Sequence, residues 1–397
     1  MKSQPLSGIR VLEIGAYIST PYAGVILSSL GAEVVKVEPI EGDPFRRGMD
    51  NKNAYFKQYN SGKKSIAINL KSPEGLSLIK TLLPSFDVVM ENMRPGKMTS
   101  LGLSEEVCLA INSSLIYGSV SGFGADGPWA KRPAYDTIGQ SISGVYSILN
   151  DANNKQLTGT CIADLITGVS SAMGIITALF GRERSCDHLG GRIETSLLES
   201  MSLLTIDALT QAFDTGVDPE RDSRHPQAQN FCLETADGKN LTIHLSVSQK
   251  FWTSLAHLIG RPDLITNPHF SDYETRILRP HYEEIVQILK TEFLKHSLEE
   301  WEVLLSAADI PYAPLLSMHE VANHEQTNWL ELLGPQVGQI PMQRLPWTFD
   351  GVRPPRSNHP AHVGEHTHEI LSSIYSDEKI KALAEQGHIK IYENMEP

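Results

Sequence analysis

The chain has no run of about 18 uninterrupted apolar residues, which argues against a membrane-spanning helix. Its start, MKSQPLSGIRVLEIG, does not place a charged region before an apolar stretch and a small-residue cleavage site, so export is not expected. Cysteine is scarce: Cys108, Cys161, Cys186 and Cys232 show neither CxxC nor Cys/His spacing, which reads as reduced thiols in a cytoplasm and no metal site. There is no basic excess either. A net charge of −13 speaks against nucleic acid, whose phosphates call for a basic footprint. What remains is an ordinary globular composition, 41% hydrophobic and 20% charged, in 397 residues, enough for two domains or one large domain with an insertion.

The charge is unevenly spread. Residues 1–135 hold 15 Lys/Arg against 12 Asp/Glu, a balance of +3, so the remaining 262 carry −16. The basic positions of this first part, among them Lys36, Arg46, Lys63, Lys71, Arg94, Lys97 and Arg132, flank expected strand ends and loops. They suit either a small polyanionic ligand or a solvated surface.

Hydrophobic patterning alternates short apolar runs with helical periods. Ile9 to Ile14 and Ala32 to Val37 read as strands, with a helix between them that Thr20 caps and Pro21 opens. Glu38 then stands where a dinucleotide fold binds ribose, yet the intervening GAYISTPYAG lacks G-x-G-x-x-G. This is a Rossmann-like frame without the glycines a pyrophosphate needs. Further strands are expected at Ser65–Asn69, Asp87–Met90 and Leu115–Val120, and in a piece just before Asp164. Asn92, Arg94 and Lys97 fall beyond the carboxyl end of the Asp87–Met90 run, where ligands collect in open α/β sheets.

Asp214 to Asn230 has no apolar period and reads as a boundary. Beyond it, a hairpin around Asp237-Gly238 and three amphipathic helices near Gln249–Ile259, His281–Phe293 and Ser297–Ala307 suggest a small α+β domain. Ile310–Leu316 and a hairpin-like Pro335–Asp350 are expected to carry the chain back, and Thr367–Gly387 to be helical. The domains expected are therefore 1–215, the first part of a large Rossmann-like domain; 230–325, the small one; and 326–397, a return segment. The five tryptophans, Trp129, Trp252, Trp301, Trp329 and Trp347, read as packing.

One stretch organises the rest, TGTCIADLITGVSSAMGIITALFGRE at 158–183. Leu165, Ile166, Val169, Ala172, Met173, Ile176 and Phe180 recur at helical spacing, while Gly168, Ser171, Gly174 and Ala178 permit close approach. No charge occurs from Leu165 to Gly181, so Asp164 is an isolated anion at a helix start whose amides lack partners. It is expected to stay ionised, as a cap or as a nucleophile.

The ordered motifs PLSGIRVLEIG, GAEVVKVEP, SGKKSIAINLKSPEG, ENMRPG, SGFGADGPWAKRPAYDTIGQSISG, CIADLITG, RIETSLLESM and GEHTHEIL resemble the class III CoA-transferase family, which includes formyl-CoA and carnitine CoA-transferases and α-methylacyl-CoA racemases. The likeness runs from residue 5 to about 370. It implies an α/β fold with a Rossmann-like large domain and a smaller α+β domain in an interlocked homodimer. It also implies Asp164 as the catalytic aspartate, and CoA contacts at Lys71, Asn92 and Arg94. Coenzyme A or acyl-CoA is then a substrate, with no permanent cofactor; the partners are a carboxylic acid and a second copy, with neither nucleic acid nor membrane. Two features depart from the family. Ser100 replaces an arginine that meets CoA phosphate, a loss Lys97 could partly make good, and SCDHLGGR replaces a short Thr-Gly-Lys-Gly-Gln type of turn.

The chemistry the resemblance implies begins with carboxylate attack on the thioester to give an aspartyl anhydride, followed by an aspartyl-CoA thioester. Water must be excluded, and a domain interface suits that. Racemases of this type usually place histidine where Tyr135 stands, and a phenol of pKa about 10 is a poor base at neutral pH, which favours transfer. Tyr135 is either a packed aromatic or a residue that positions CoA or the acyl group. An α-methylacyl-CoA racemase or epimerase, and a non-catalytic acyl-CoA-binding protein, remain as alternatives.

Overall fold

The strands β1 (Arg10–Ile14), β2 (Glu33–Glu38), β3 (Lys64–Ile68), β4 (Val88–Glu91), β5 (Ile116–Ser121) and β6 (Gly191–Ser196) lie parallel in the order β3-β2-β1-β4-β5-β6. The computed structural model describes residues 4–49, 52–334, 340–354, 356–357 and 359–393. In the central register Leu12 sits between Val35 and Val89. These strands are apolar on both faces because both faces are covered, as parallel sheets require. On one face Leu12, Val35, Ile66 and Val89 pack with Leu78, Leu371 and Leu383; on the other, Val11, Val34 and Val88 pack with Ile26, Leu27, Ala172 and Ile175.

The chain divides into two compact units. The larger holds 1–146, 157–209 and 326–397; the smaller holds 147–156 and 210–325. In the smaller unit, β7 (Asn230–Glu234), β8 (Asn240–His244) and β9 (Tyr312–Pro314) form an antiparallel sheet, packed with Trp252, Phe270, Ile285, Phe293 and Trp301. The helices Gln249–Leu258, Arg279–Phe293 and Leu298–Ala307 match the three amphipathic patterns. Back in the larger unit, β10 (Ile389–Lys390) runs antiparallel along β3 as the last strand of the large sheet.

The helix Ile162–Arg184 corrects an expectation, since by length and composition it is able to cross a membrane. Gly, Ser and Thr interrupt its apolar run without adding charge. Here it packs on the helix Ser19–Ser29 and on β5 and β6. Gly168 permits that approach: a Cβ on it would lie 2.8 Å from the Ser19 carbonyl oxygen.

Other differences have local causes. Thr20 does not cap its helix, which starts one residue earlier with Ile18 in the cap position and leaves Thr20 buried inside. No strand lies between β5 and the Asp164 helix among the described residues; the segment holds only an isolated bridge between Asp151 and Asn154. β6 was not expected because RIETS alternates exposed and half-buried positions without an apolar run. β9 pairs with β8 and so belongs to the smaller sheet. The expected helix Thr367–Gly387 is two, Thr367–Leu371 and Asp377–Glu385. Of the expected hairpin Pro335–Asp350, residues 335–339 lie outside the described residues; the rest shows only isolated bridges. Trp252 and Trp301 are core residues, whereas Trp129, Trp329 and Trp347 are exposed.

Candidate active site

Strand order reverses between β1 and β4, so the chain leaves their carboxyl ends in opposite directions and opens a crevice, the usual ligand position of such sheets. A cleft of about 370 Å³ lies there, lined by Gly15, Asn92, Arg94, Tyr135 and Asp164 among others, all from the larger unit. The Asn92 side chain shapes one wall. Its Oδ1 accepts from the Ala16 amide at 3.0 Å and its Nδ2 donates to the Ala16 carbonyl at 2.8 Å. Gly15 is needed beside it, because a Cβ would come 2.6 Å from Thr20 Cγ2. The loop then turns through Tyr17 in the left-handed region at φ 65° and sets that ring edge-on to Tyr135, with centroids 5.8 Å apart.

Beneath this loop lies a layer of buried charge. Glu13 accepts from Lys36 Nζ at 3.0 Å and from Lys63 Nζ at 2.7 Å; Lys36 also donates to the Gly15 carbonyl at 2.6 Å and pairs with Asp43 at 2.8 Å. Burial alone would lower Lys36, but the Asp43 and Glu13 carboxylates outweigh it and hold the ammonium above its usual range. Burial brings Lys63 down to about 8 despite Glu13. Glu38, at the position that binds ribose in dinucleotide folds, is fully buried and clamped by Arg46 through Nε at 2.8 Å and Nη2 at 2.7 Å. Lys36, Arg46 and Lys63 are therefore neutralised inside the protein and unavailable to a polyanion.

Asp164 is the third residue of its helix and does not cap it. The cap position is Cys161, whose side chain makes no capping bond. The capping acceptor comes from elsewhere: Asp136 Oδ1 takes the Asp164 amide at 3.1 Å. Contrary to expectation, Asp164 is not held fully ionised. Burial first and the Asp136 charge second push its carboxyl up to about 7, against a hydrogen bond from Ser19. The helix amides favour the anion, but loss of water outweighs them.

The structure gathers Asn92, Arg94, Tyr135 and Asp164 into the cleft, and adds Arg132, whose guanidinium lies 3.9 Å over the Trp129 ring. Tyr135 is 63% exposed, so it is not a packed core aromatic. Lys71 lines an adjoining hollow that shares Pro39, Asp43, Pro44 and Leu70 with the cleft. Lys97 is exposed and lines neither space; it opens a short helix, Lys97–Ser100, in which the Ser100 hydroxyl is turned back onto the Lys97 carbonyl at 2.7 Å.

Sequence reasoning did not assign roles to Asp136 and Gln140. Gln140 is fully buried; it donates to Asp136 Oδ2 at 2.5 Å and to the Thr160 carbonyl at 3.0 Å, and accepts from Thr158 Oγ1 at 2.7 Å. The available signal was Asp and Gln four apart on one helix, with a polar Thr-Gly-Thr just ahead of Asp164.

The model described as CoA-transferase family III matches residues 6–367. Among curated relatives, the succinyl-CoA–D-citramalate CoA-transferase of Chloroflexus aurantiacus is 30% identical over 94% of both chains. The acetyl-CoA:oxalate CoA-transferase of Acetobacter aceti is 34% identical over 81% of this chain and 84% of its own. The crystal structure of a CAIB/BAIF family protein from Brucella suis superposes with a TM-score of 0.82 at 28% identity, covering 94% of this chain and all of that one.

Proposed function

The chain belongs to CoA-transferase family III and is an enzyme, and on that premise we propose that it moves CoA from an acyl-CoA thioester to a carboxylic acid with Asp164 as the nucleophile. The carboxylate attacks the thioester carbon and CoA leaves as thiolate, giving an aspartyl anhydride. The thiolate then attacks the aspartyl carbonyl, releases the donor acid and leaves an Asp164–CoA thioester. The acceptor carboxylate attacks that thioester to form a second anhydride, and the thiolate takes the acceptor acyl group, restoring the Asp164 carboxylate. The observation that carries this reading is the Asp164 carboxyl, placed at the switch point of the sheet and pushed up to about 7 mainly by burial. A less acidic carboxylate is a stronger nucleophile, and a substantial fraction is ionised at neutral pH.

Asn92 holds the wall along which the pantetheine arm lies, while Arg94 at the mouth and Lys71 in the adjoining hollow meet the CoA phosphates. Lys97, solvent-exposed on the same strand exit, adds a long-range positive contribution. Tyr135 positions the acyl group against Asp164. The acceptor class is dicarboxylic: citramalate and oxalate, named for the two relatives, both carry a second carboxylate, and Arg132 on Trp129 offers it a guanidinium. A homodimer fits the exposed apolar side chains of Met173, Phe180, Leu203, Ile206 and Leu209. Four free cysteines suit a reducing cytoplasm.

The test is intact-mass analysis after incubation with succinyl-CoA. A CoA adduct mapping to Asp164 is expected, and undiminished turnover by Asp164→Ala would overturn the assignment.

A further inference from the structure

Next to the cleft, hydrogen-bonded to the Asp164 amide, stands a carboxylate that the proposed chemistry does not use. Asp136 opens the helix Asp136–Ile142. One of its oxygens accepts the amide of Asp164 and the other is held by Gln140, which also ties down Thr158 and Thr160 in the strand-free segment entering the Asp164 helix. Two helix starts and the loop between them are thus joined by one part-buried network centred on Asp136. From this geometry we infer that Asp136 is a positioning residue, which caps the helix bearing Asp164 and biases that residue toward its uncharged, acylated state.

The inference rests on the nucleophilic role proposed for Asp164. When Asp164 carries CoA it loses its negative charge, and the repulsion from Asp136 disappears while the capping bond stays. The same repulsion contributes to the raised carboxyl of Asp164. The other titratable groups facing Asp164 are Tyr59, from the helix Ala54–Asn60, and Cys161. Burial raises both above their ordinary values, so both are neutral where Asp164 titrates. Asp43, Arg94 and Arg132 line the same cleft.

The experiment compares wild type with Asp136→Asn, which keeps an acceptor for the Asp164 amide and removes the charge. The acid limb of kcat/KM is expected to move down by about one pH unit, and the CoA-adduct fraction at a fixed ratio of CoA to acid to fall by about tenfold. Asp136→Glu, which retains the charge, should keep the wild-type limb; Asp136→Ser, a neutral cap residue, should reproduce the Asn shift even if the Asn variant does not fold. An adduct in wild type with an unmoved limb in the neutral variants overturns this inference alone. Wild type without an adduct overturns the nucleophilic role of Asp164 and this inference with it.

Discussion

Replacing Asp164 by asparagine should stabilise the protein, and increasingly so as pH rises. The carboxyl titrates near 7 in the fold against an ordinary 3.8, a difference of about 3 units. The folded state holds the proton more tightly, so the favourable contribution is complete below about pH 4 and is lost as pH climbs through 7. At about 1.4 kcal/mol per unit the whole span is about 4 kcal/mol, of which about 2.5 kcal/mol falls between pH 5 and pH 8. Asparagine does not titrate. Urea unfolding of both proteins at pH 5 and pH 8, at one protein concentration, gives a double difference in which the other titrating groups cancel. The variant should gain about 2.5 kcal/mol on wild type over that interval while losing turnover. Equal pH dependence of the two proteins would refute the claim that burial holds this group close to neutrality.

Two further outcomes follow from the walls of the cleft. Glu13→Gln leaves the Lys36 and Lys63 ammoniums facing a neutral amide in a buried layer, and thermal unfolding should show a loss of about 3 kcal/mol or more. Asn92→Ala removes both bonds to Ala16, costing about 1–3 kcal/mol, and steady-state kinetics should show KM for the acyl-CoA rising several-fold.

Strand patterning along β1 to β5 was legible because strands buried on both faces read as mostly apolar runs. β10 was not: it is two residues long and exists because β3 offers an edge. Asp164 stood out as a lone charge before a long apolar helix, and its neighbours Asn92, Arg94 and Tyr135 followed from strand exits and motif order. Its protonation did not, since desolvation depends on which side chains close around it. Nor did the link to Asp136, a hydrogen bond between residues 28 apart in sequence. Lys36 and Lys63 read as cations facing a ligand or solvent because nothing local distinguishes them from Lys71; only the fold shows that they sit buried against Glu13. Thr20 misled because the helix starts one residue earlier than the Thr20-Pro21 pair suggests, which places Thr20 inside it and buries its side chain.

The seam along β3 has a consequence for biosynthesis. The Ser65 hydroxyl accepts the Gly364 amide, Thr367 Oγ1 accepts the Ala67 amide, and β10 closes the remaining edge, so residues about 300 apart complete one strand's bonding. A nascent chain leaves the ribosome with that margin open while some 300 further residues are translated, during which an unpaired edge is free to recruit other strands. Premature termination anywhere before position 364 would leave every copy in that condition, so such fragments are expected in the insoluble fraction, and full-length product should resist protease only once its tail has been released.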